Sequence, residues 1–337
     1  MSAKQSSVSH FWRILETLGP LLALVLTTIG FAIADRIWGN GHFVELRNLR
    51  VILVQSAPVA VAGLGMTLII IAGGIDLSAG TASVLCATVL ATALAAKFSV
   101  PLALLFALGC SAACGLSNGL LISLLRIPPF IVTLGTMTIF LGLAKLLAGG
   151  STVFVDRELI PPWLYSLTST RPPDMTMGMP NIATGVWLAF AIAIGVAVLL
   201  RYTVLGRHLF AIGSNESTAR LCGVSVLQTK LLVYVIGGIL IGISGIYSFS
   251  LVKMANPVEG VGRELKFIAA VVIGGGSLTG GRGSVVGTLA GATIMGVIVS
   301  GCAQLEIKNS IVDIMIGTII IAAVTLDQLR VRWKENS

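Results

Sequence analysis

Apolar stretches of about twenty residues, separated by short loops, make up almost the whole of this chain of 337 residues. With its flanks, each stretch is long enough to cross a hydrocarbon core about 30 Å thick as a helix. The clearest stretches are residues 18–33, 51–72, 102–125, 182–200 and 311–326. The pattern predicts an all-α fold, namely a polytopic transmembrane helix bundle.

The composition excludes an ordinary soluble fold. Hydrophobic residues make up 55% of the chain and charged residues 11%, whereas soluble proteins contain roughly 25% charged residues. A soluble fold with so few charges would expose apolar surface and aggregate. The length favours one bundle, so residues 1–337 are predicted to form a single transmembrane domain. The net charge of +8 does not indicate nucleic-acid binding, because the basic residues lie in short connecting loops.

We predict about ten membrane crossings, and the distribution of Lys and Arg slightly favours both termini on the inner face. The predicted crossings are residues 17–35, 51–72, 79–96, 101–125, 130–149, 182–200, 229–251, 264–276, 284–301 and 309–326. A signal peptide is an alternative for the first crossing, because Lys4 and Arg13 precede it and Ala32-Ile33-Ala34 resembles a cleavage site. We expect an uncleaved helix, because the apolar run is longer than usual for a signal peptide and many spans follow.

Two long loops are predicted on opposite faces of the membrane. Residues 150–181 are expected to form an external loop, because the pairs Pro161-Pro162 and Pro172-Pro173 forbid a continuous helix there. Trp163 and Tyr165 in this loop suit the headgroup layer, where one end of the ring is hydrated. Residues 201–228 are polar and basic and are expected on the inner face.

A glycine-rich segment occurs twice, at residues 73–80 and 274–281, with an offset of 201 residues (73 to 274). Each copy ends one apolar run and begins another, so each is predicted to break a helix, although chance similarity is an alternative. Six crossings between the copies would place both on one face, whereas a half-helix at 264–276 would leave five and invert them. The candidate translocation path or helix break comprises Gly73, Gly74, Asp76, Ser78, Asn118, Gly274, Gly275 and Ser277.

Asp76 places a carboxylate beside the first glycine break, close to a predicted membrane boundary. An acid there is costly and is a functional hypothesis by default. The competing interpretation makes Asp76 or Ser78 a cap for the following helix, and direct substrate contact or gating are further alternatives. For Asn118 we favour a hydrogen bond between helices over lining of an aqueous path. For Asp313 we favour a first-turn acid stabilised by the helix dipole.

Residues 206–223 carry signals for a short helix that is capped at both ends. Ser214 or Asn215 can cap its start, and Glu216 suits its positive N-terminal end. Gly223 is a natural stop after the helix. The resulting helix of about seven residues is too short to persist alone in water. We therefore expect it to dock on another surface.

Three motifs occur in order along the chain. They are Gly65-Met66-Thr67-Leu68 with residues 73–78, then residues 205–223, then residues 269–278 followed by Gly280-Gly281-Arg282-Gly283. Together they resemble the permease subunits of ribose-type ABC importers, a binding-protein-dependent family of the inner membrane, over about residues 45–326. The sequence departs from the family pattern at Ser217-Thr218 and at Cys222.

The resemblance implies a non-enzymatic permease subunit that translocates a monosaccharide, ribose or a related sugar, across a bacterial inner membrane. It implies ATP-hydrolysing ABC subunits on the cytoplasmic face, a second permease chain (identical or different), a periplasmic or lipid-anchored sugar-binding protein, and surrounding membrane lipid. No cofactor, metal or nucleic acid is implied. Because the sequence lacks the G-x-x-x-x-G-K-[ST] phosphate loop, ATP hydrolysis is expected on another polypeptide.

Within the resemblance, residues 201–228 correspond to the cytoplasmic loop that couples the permease to the ATPase. The residues expected to carry this role are Gly206, Arg207, Gly213, Asn215, Glu216, Ala219, Arg220 and Gly223. Arg207 and Arg220 would pair with acids on the ATPase, although exposed pairs add little affinity. The contact of the short helix with a groove of the ATPase is expected to dominate.

Three other functions stay open at this point. A secondary transporter would need intramembrane acids that bind Na⁺ or H⁺, and only Asp76 and Asp313 are good candidates. A membrane enzyme would need a nucleophile with a base, or a metal cluster; three dispersed His residues and five Cys without a CxxC motif do not supply one. A related permease for branched-chain amino acids shares the architecture, so only ligand measurement separates it.

Overall fold

The computed structural model describes the backbone of residues 2–170 and 182–335, with the side chains of residues 18–170 and 182–325. The Pro172-Pro173 pair of the predicted external loop lies outside the described residues. The described chain is overwhelmingly helical, which confirms the predicted all-α bundle. Its elements follow the apolar stretches of the sequence, because in lipid every backbone polar group must be bonded within the protein.

The described residues form thirteen α-helices, two short strands and two short 3₁₀ helices. The α-helices are α1 (Ser2–Trp38), α2 (Leu46–Ile71), α3 (Ala79–Ala95), α4 (Val100–Leu124), α5 (Pro129–Leu147), α6 (Pro162–Ser166), α7 (Thr184–Tyr202), α8 (Val204–Ser214), α9 (Glu216–Leu221), α10 (Val226–Val252), α11 (Arg263–Ile273), α12 (Val285–Gln304) and α13 (Asn309–Glu335). The strands are β1 (Val153–Phe154) and β2 (Met254–Ala255), and the 3₁₀ helices are Arg157–Leu159 and Pro257–Gly260.

Each of the ten predicted crossings contains a helix, but the helices differ in length. Seven of the described helices are long and apolar enough to cross a membrane, namely the apolar part of α1 together with α2, α4, α5, α7, α10 and α12. α3 and residues 309–325 of α13 are shorter apolar helices. α11 has 11 residues and is therefore only about 16 Å long. The predicted crossing at 264–276 is thus a half-length helix, and its short length follows from the glycines that end it.

Two helices organise the interior of the bundle. α2 is almost completely buried in its second half, where it packs against α10, α11 and α12. α10 packs against α4 through small residues, and Ser111 Oγ donates to the carbonyl oxygen of Gly238 at 2.5 Å. A β-carbon on Gly238 would lie 3.0 Å from the Cα of Gly115, so the two backbones are in direct contact. Small residues permit this close approach in membrane helices.

The two ends of the bundle are built differently. At one end, the β-ribbon end, β1 and β2 pair antiparallel with Val153 opposite Ala255. α6 begins at Pro162, where the sequence predicted an interruption, and Lys253 Nζ lies 4.5 Å from the ring centroid of Tyr165. The opposite end, the α8–α9 end, carries the short helices α8 and α9. The predicted loops 150–181 and 201–228 are therefore on opposite ends as far as the described residues extend.

Candidate functional site

The two glycine-rich segments end their helices with the same hydrogen-bonding pattern. After α2, the amides of Gly73 and Gly74 donate to the carbonyls of Ile70 and Ile69, both at 2.9 Å. After α11, the amides of Gly275 and Gly276 donate to Val272 at 2.9 Å and Val271 at 2.8 Å. This is the Schellman motif, which needs a left-handed residue after the helix.

The left-handed residues correct the predicted alignment of the two segments. Gly73 has φ 79° and Gly275 has φ 87°, conformations that glycine adopts without a steric penalty. The structural offset is therefore 202 residues (73 to 275), whereas the sequence alignment gave 201. The sequence alignment was one residue out because a run of three glycines, residues 274–276, offers more than one match.

The two segments meet at the α8–α9 end of the bundle. The Gly281 amide donates to the carbonyl oxygen of Ile71, the last residue of α2, at 2.9 Å. A β-carbon on Gly280 would lie 2.8 Å from the Gly213 carbonyl oxygen and 3.0 Å from the Cα of Gly73. Both copies therefore lie on one end, as one of the two predicted arrangements required, even though α11 is a half-length helix.

Gly213 of α8 completes this contact, which we call the three-segment junction (Ile71, Gly73, Gly213, Gly280 and Gly281). A β-carbon on Gly213 would overlap both the Ile71 carbonyl and the Gly281 amide. Only glycine leaves room for the three backbones to touch. The junction therefore connects Gly213, a residue of the predicted coupling loop, with both glycine-rich segments. The sequence alone did not predict this contact.

Asp76 and Ser78, in the segment between α2 and α3, form a buried network with Asn118 of α4 and Thr136 of α5. Asp76 Oδ1 accepts from the Ser78 amide at 2.8 Å and from Ser78 Oγ at 2.6 Å. Asn118 Nδ2 donates to Ser78 Oγ at 2.8 Å, and Thr136 Oγ1 donates to Asn118 Oδ1 at 2.7 Å. We call these four residues the Asp76 network. All four side chains are buried.

The network decides between the structural interpretations of these residues. Ser78 is the N-cap of α3, but its side chain makes no capping bond, and Asp76 bonds Ser78 rather than a first-turn amide. The predicted capping role is therefore wrong. Asn118 joins two helices and the α2–α3 loop, as favoured by sequence. Asp313 is exposed and lies beyond the first turn of α13, so the dipole interpretation is also wrong.

Two threonines of α5 that were not predicted from the sequence help to hold this loop. Thr136 belongs to the network, and Thr133 Oγ1 donates to the carbonyl oxygen of Ile75 at 3.1 Å. Their spacing of three residues, which places both on one face of a mainly apolar helix, was the available signal. By contrast, the predicted site residues Gly274 and Ser277 stay apart from the network: Gly274 packs on Gly287 of α12, and Ser277 Oγ lies 2.9 Å from Thr279 Oγ1.

The predicted short helix is present as α9, with caps at both ends. Asn215 Oδ1 accepts from the Thr218 amide at 2.9 Å, so Asn215 rather than Ser214 is its N-cap. Gly223 has φ 84° and follows the helix, and the Val224 amide donates to the Ala219 carbonyl at 3.1 Å. Asn215 is also the C-cap of α8, so a single residue connects α8 with α9. Thr203 is the N-cap of α8, and its Oγ1 accepts from the Gly206 amide at 3.2 Å.

One face of α9 is fixed to the bundle and the other is exposed. Ala219 is buried with Ile212 and Val226. Leu221 is 89% exposed, the highest exposure of any large hydrophobic side chain in the described residues. Arg207 and Arg220 are also exposed. Leu221, which we call the α9 anchor, is thus an apolar side chain of the kind that binding of a helix in a groove covers.

Charged side chains hold α9 against α10. Glu216 Oε2 lies 2.6 Å from Lys230 Nζ, and Glu216 Oε1 lies 3.1 Å from Arg220 Nη2. The hydrogen bond from Lys230, followed by the smaller effect of Arg220, lowers the pKa of Glu216 below its ordinary value. Arg220 therefore pairs with an acid of its own chain. The sequence had predicted an acid on a partner subunit instead.

Comparison with known proteins supplies the family context of these features. The family model described as branched-chain amino acid transport system / permease component matches residues 48–324. The ribose import permease protein RbsC of Escherichia coli strain K12 is 35% identical over 289 residues, 85% of this chain and 87% of that protein. RbsC of Bacillus subtilis strain 168 is 35% identical over 319 residues, 95% of each chain.

A third relative is named for a different sugar. The fructose import permease protein FrcC of Rhizobium meliloti is 32% identical over 322 residues, which cover 95% of this chain and 88% of that protein. No solved structure shows significant similarity to the chain. The matched regions contain both glycine-rich segments, the Asp76 network and α9.

Replacement of Gly213 by alanine tests the three-segment junction. The added methyl group has no space, so we expect Gly213→Ala to lower the free energy of unfolding by about 1–3 kcal/mol. Thermal unfolding of the purified protein in detergent would measure the change. Gly135→Ala on α5 is the matched control, because nothing lies within 4 Å of the added β-carbon. Equal stability of the two variants would contradict the junction.

The ion pairs of Glu216 predict a pH-dependent difference between wild type and Glu216→Gln. Because the folded-state pKa is lowered, the stabilisation is complete above the ordinary carboxyl pKa of about 4.3 and is lost as pH falls through the lowered value. At neutral pH the loss should stay below about 1 kcal/mol, since the pairs are partly exposed. Hydrogen exchange of the α9 amides would show it, with Glu306→Gln as the control. A difference that persists unchanged at low pH would argue against this assignment.

Proposed function

This chain belongs to the family of branched-chain amino acid transport permease components, and on that premise we propose that it is the membrane-spanning permease subunit of an ATP-binding-cassette importer for a monosaccharide. The family description names amino acids, but the relatives that match along most of the chain are named as ribose and fructose permeases. A ribose-like sugar is therefore favoured over an amino acid.

The observation that carries the proposal is α9, a helix of 6 residues with caps at both ends and an almost fully exposed leucine. Such a helix gains little from its own hydrogen bonds, and its exposed apolar side chain needs a partner surface. The sequence contains no phosphate loop of its own, so an ATPase subunit is the partner that fits. We assign the α8–α9 end to the cytoplasmic face on this basis.

The junction supplies a path from α9 to the interior. A movement of α9 carries α8 with it, because Asn215 ends one helix and begins the other. α8 contacts Ile71 and Gly281 through Gly213, with no side chain between the backbones. The loop after α2 then leads directly to Asp76 and its network. ATP-driven closure of the partner subunits would in this way reposition the α2–α3 loop.

The remaining partners follow from the same assignment. Substrate enters from the β-ribbon end, where a periplasmic or lipid-anchored sugar-binding protein would dock, and a second permease chain completes the pathway. The protein then resides in the bacterial inner membrane with both termini in the cytoplasm. ATP hydrolysis takes place on the ABC subunits, and this chain supplies binding surfaces and movement rather than catalysis.

Loss of the α9 anchor should uncouple the transporter. In proteoliposomes that contain the permease, its ATPase and its binding protein, we expect Leu221→Ser to reduce sugar-stimulated ATP turnover about tenfold, as for a buried anchor residue. Replacement of residues 214–222 by a flexible linker should abolish the stimulation while membrane insertion is retained. Leu146→Ser is the control, since Leu146 is also exposed but lies at the β-ribbon end of the bundle, at the C-terminal end of α5. Unchanged stimulation in both α9 variants would refute the proposed coupling.

Removal of Asp76 should impair transport more than removal of Asp313. Asp76→Ala leaves the Ser78 amide and hydroxyl without their acceptor inside the bundle, which is costly for buried polar groups. Asp313→Ala changes an exposed side chain. Sugar uptake at matched expression would compare them, and equal uptake by the two variants would show that the network is dispensable.

A further inference from the structure

A cavity of about 510 Å³ lies at the α8–α9 end, between α9, the start of α10 and the loop from α4 to α5. Its lining contains three basic side chains, Arg126, Arg220 and Lys230, and a single acidic side chain, Glu216. Positive charge within the lining is therefore in excess by two. A cleft lined by an excess of one charge attracts counter-ions, because its low-dielectric walls focus the field. We call this space the Arg126 cavity.

Glu216 compensates only part of this charge. Its Oε2 lies 2.6 Å from Lys230 Nζ and its Oε1 lies 3.1 Å from Arg220 Nη2, so both carboxylate oxygens already have a donor. A lysine ammonium carries three N–H donors and an arginine guanidinium carries five, so both bases keep donors for a further acceptor. The Arg126 side chain forms no hydrogen bond or ion pair with the described residues. Donors of three cations are thus available to a molecule in the cavity.

The cavity lies at the level where membrane-spanning helices end. α4 ends at Leu124, α5 begins at Pro129 and α10 begins at Val226, and all three helices are long and apolar enough to cross a membrane. Residues from each of these helix ends belong to the lining. The cavity is therefore at the depth of the lipid headgroups, on the side that we assign to the cytoplasm.

Apolar residues complete the lining. They include Ile122, Ile127 and Leu227, together with Pro128 and Pro129, which have no amide hydrogen to donate. A phospholipid places a phosphodiester next to apolar chains, so it matches a cavity in which cations and apolar side chains are neighbours. The volume falls within the range of ligand sites, about 300–1,000 Å³, so a headgroup has room.

Helix ends add to the positive potential of the cavity. α5 and α10 begin in this lining, and no side chain caps the first turn of either helix. The N-terminal end of a helix carries a partial positive charge and favours anions. α4 ends in the same lining, so its partial negative charge offsets one of the two positive ends. The helix ends therefore support the basic side chains rather than oppose them.

The general excess of Lys and Arg on the cytoplasmic side does not explain this arrangement. That excess places bases in loops, but it does not require three of them in one cavity, where like charges repel. Arg201 and Arg207 are exposed at the same end and lie outside the lining. An acidic side chain of the ATPase would satisfy the bases but not the apolar residues at the ends of the spans. An anion that carries apolar chains satisfies both.

We propose that the Arg126 cavity binds the phosphate headgroup of an anionic phospholipid, as basic pockets between membrane-spanning helices do. The guanidinium of Arg126 is a planar fork that suits two phosphate oxygens, and the ammonium of Lys230 is a point charge. Because Arg220 belongs to α9 and Arg126 to the loop after α4, the lipid joins α9 to that loop. The inference rests on the proposed function only for the leaflet, which is the inner one.

Thermal unfolding of the purified full chain in detergent tests the site, with dihexanoyl phosphatidylglycerol as the probe. This lipid should raise the unfolding temperature in a saturable manner, because a ligand of the folded state stabilises it. Dihexanoyl phosphatidylcholine, which has no net charge, should leave the temperature unchanged. Arg126→Asn should raise the half-saturating concentration of phosphatidylglycerol about tenfold, the effect of losing one charge-assisted bond. Asn adopts the φ of 55° at this position readily, so the variant should unfold at the wild-type temperature without lipid.

Arg201→Gln is the matched control, since it also removes a positive charge at the α8–α9 end but outside the lining. It should leave the half-saturating concentration unchanged. Equal weakening by the two variants, or equal stabilisation by phosphatidylcholine, would overturn the site. Equal stabilisation by inorganic phosphate at the same concentration would overturn the lipid as the source of the phosphate.

A second measurement separates the lipid from the ATPase as the occupant. If Arg126→Asn weakens binding of the ATPase subunits but leaves the half-saturating concentration of phosphatidylglycerol unchanged, the cavity takes an acid of the ATPase and the lipid site is refuted. Failure of the proposed function gives a different result. The wild-type complex would then show no ATP-dependent sugar uptake, whereas phosphatidylglycerol would still stabilise the permease chain alone.

Discussion

Backbone polar groups that a helix break exposes must find partners inside the protein, and this constraint organises the α8–α9 end of the bundle. The carbonyl of Ile71, at the end of α2, accepts from the Gly281 amide of the other glycine-rich segment. Gly213 of α8 then packs on that same hydrogen bond. Three segments far apart in sequence are joined because each lacks a side chain where the others approach. In the Asp76 network, buried polar groups are likewise paired with one another, but mainly through side chains.

The sequence predicted those features that depend on neighbouring residues. Helix positions followed from apolar stretches, and the caps of α9 followed from Asn215, Glu216 and Gly223, because a cap is a contact over three or four residues. The partners of Asp76 could not be predicted, since Asn118 and Thr136 approach it only after three helices have packed. The half length of α11 was visible in the glycines at 274–276, but a membrane crossing and a half-helix share the same apolar pattern.

Buried charge was the least predictable part of the chain. Glu264 is buried, and its Oε2 accepts no hydrogen bond from the described residues. A charged residue just before an apolar run is expected at the membrane surface, whereas the 3₁₀ helix Pro257–Gly260 brings this part of the chain into contact with α3.

The contact between α4 and α10 limits how the protein can change shape. Ser111 bonds directly to a backbone carbonyl of α10, and Gly115 and Gly238 touch without side chains between them. Interlocked surfaces of this kind do not slide past each other by small steps, because any shift along the axis drives a neighbouring side chain into the opposing main chain. α4 and α10 must therefore tilt together as a rigid pair. Alternation between outward and inward access would then be a rigid-body rotation of groups of helices about their loops, rather than a rearrangement within the α4–α10 contact.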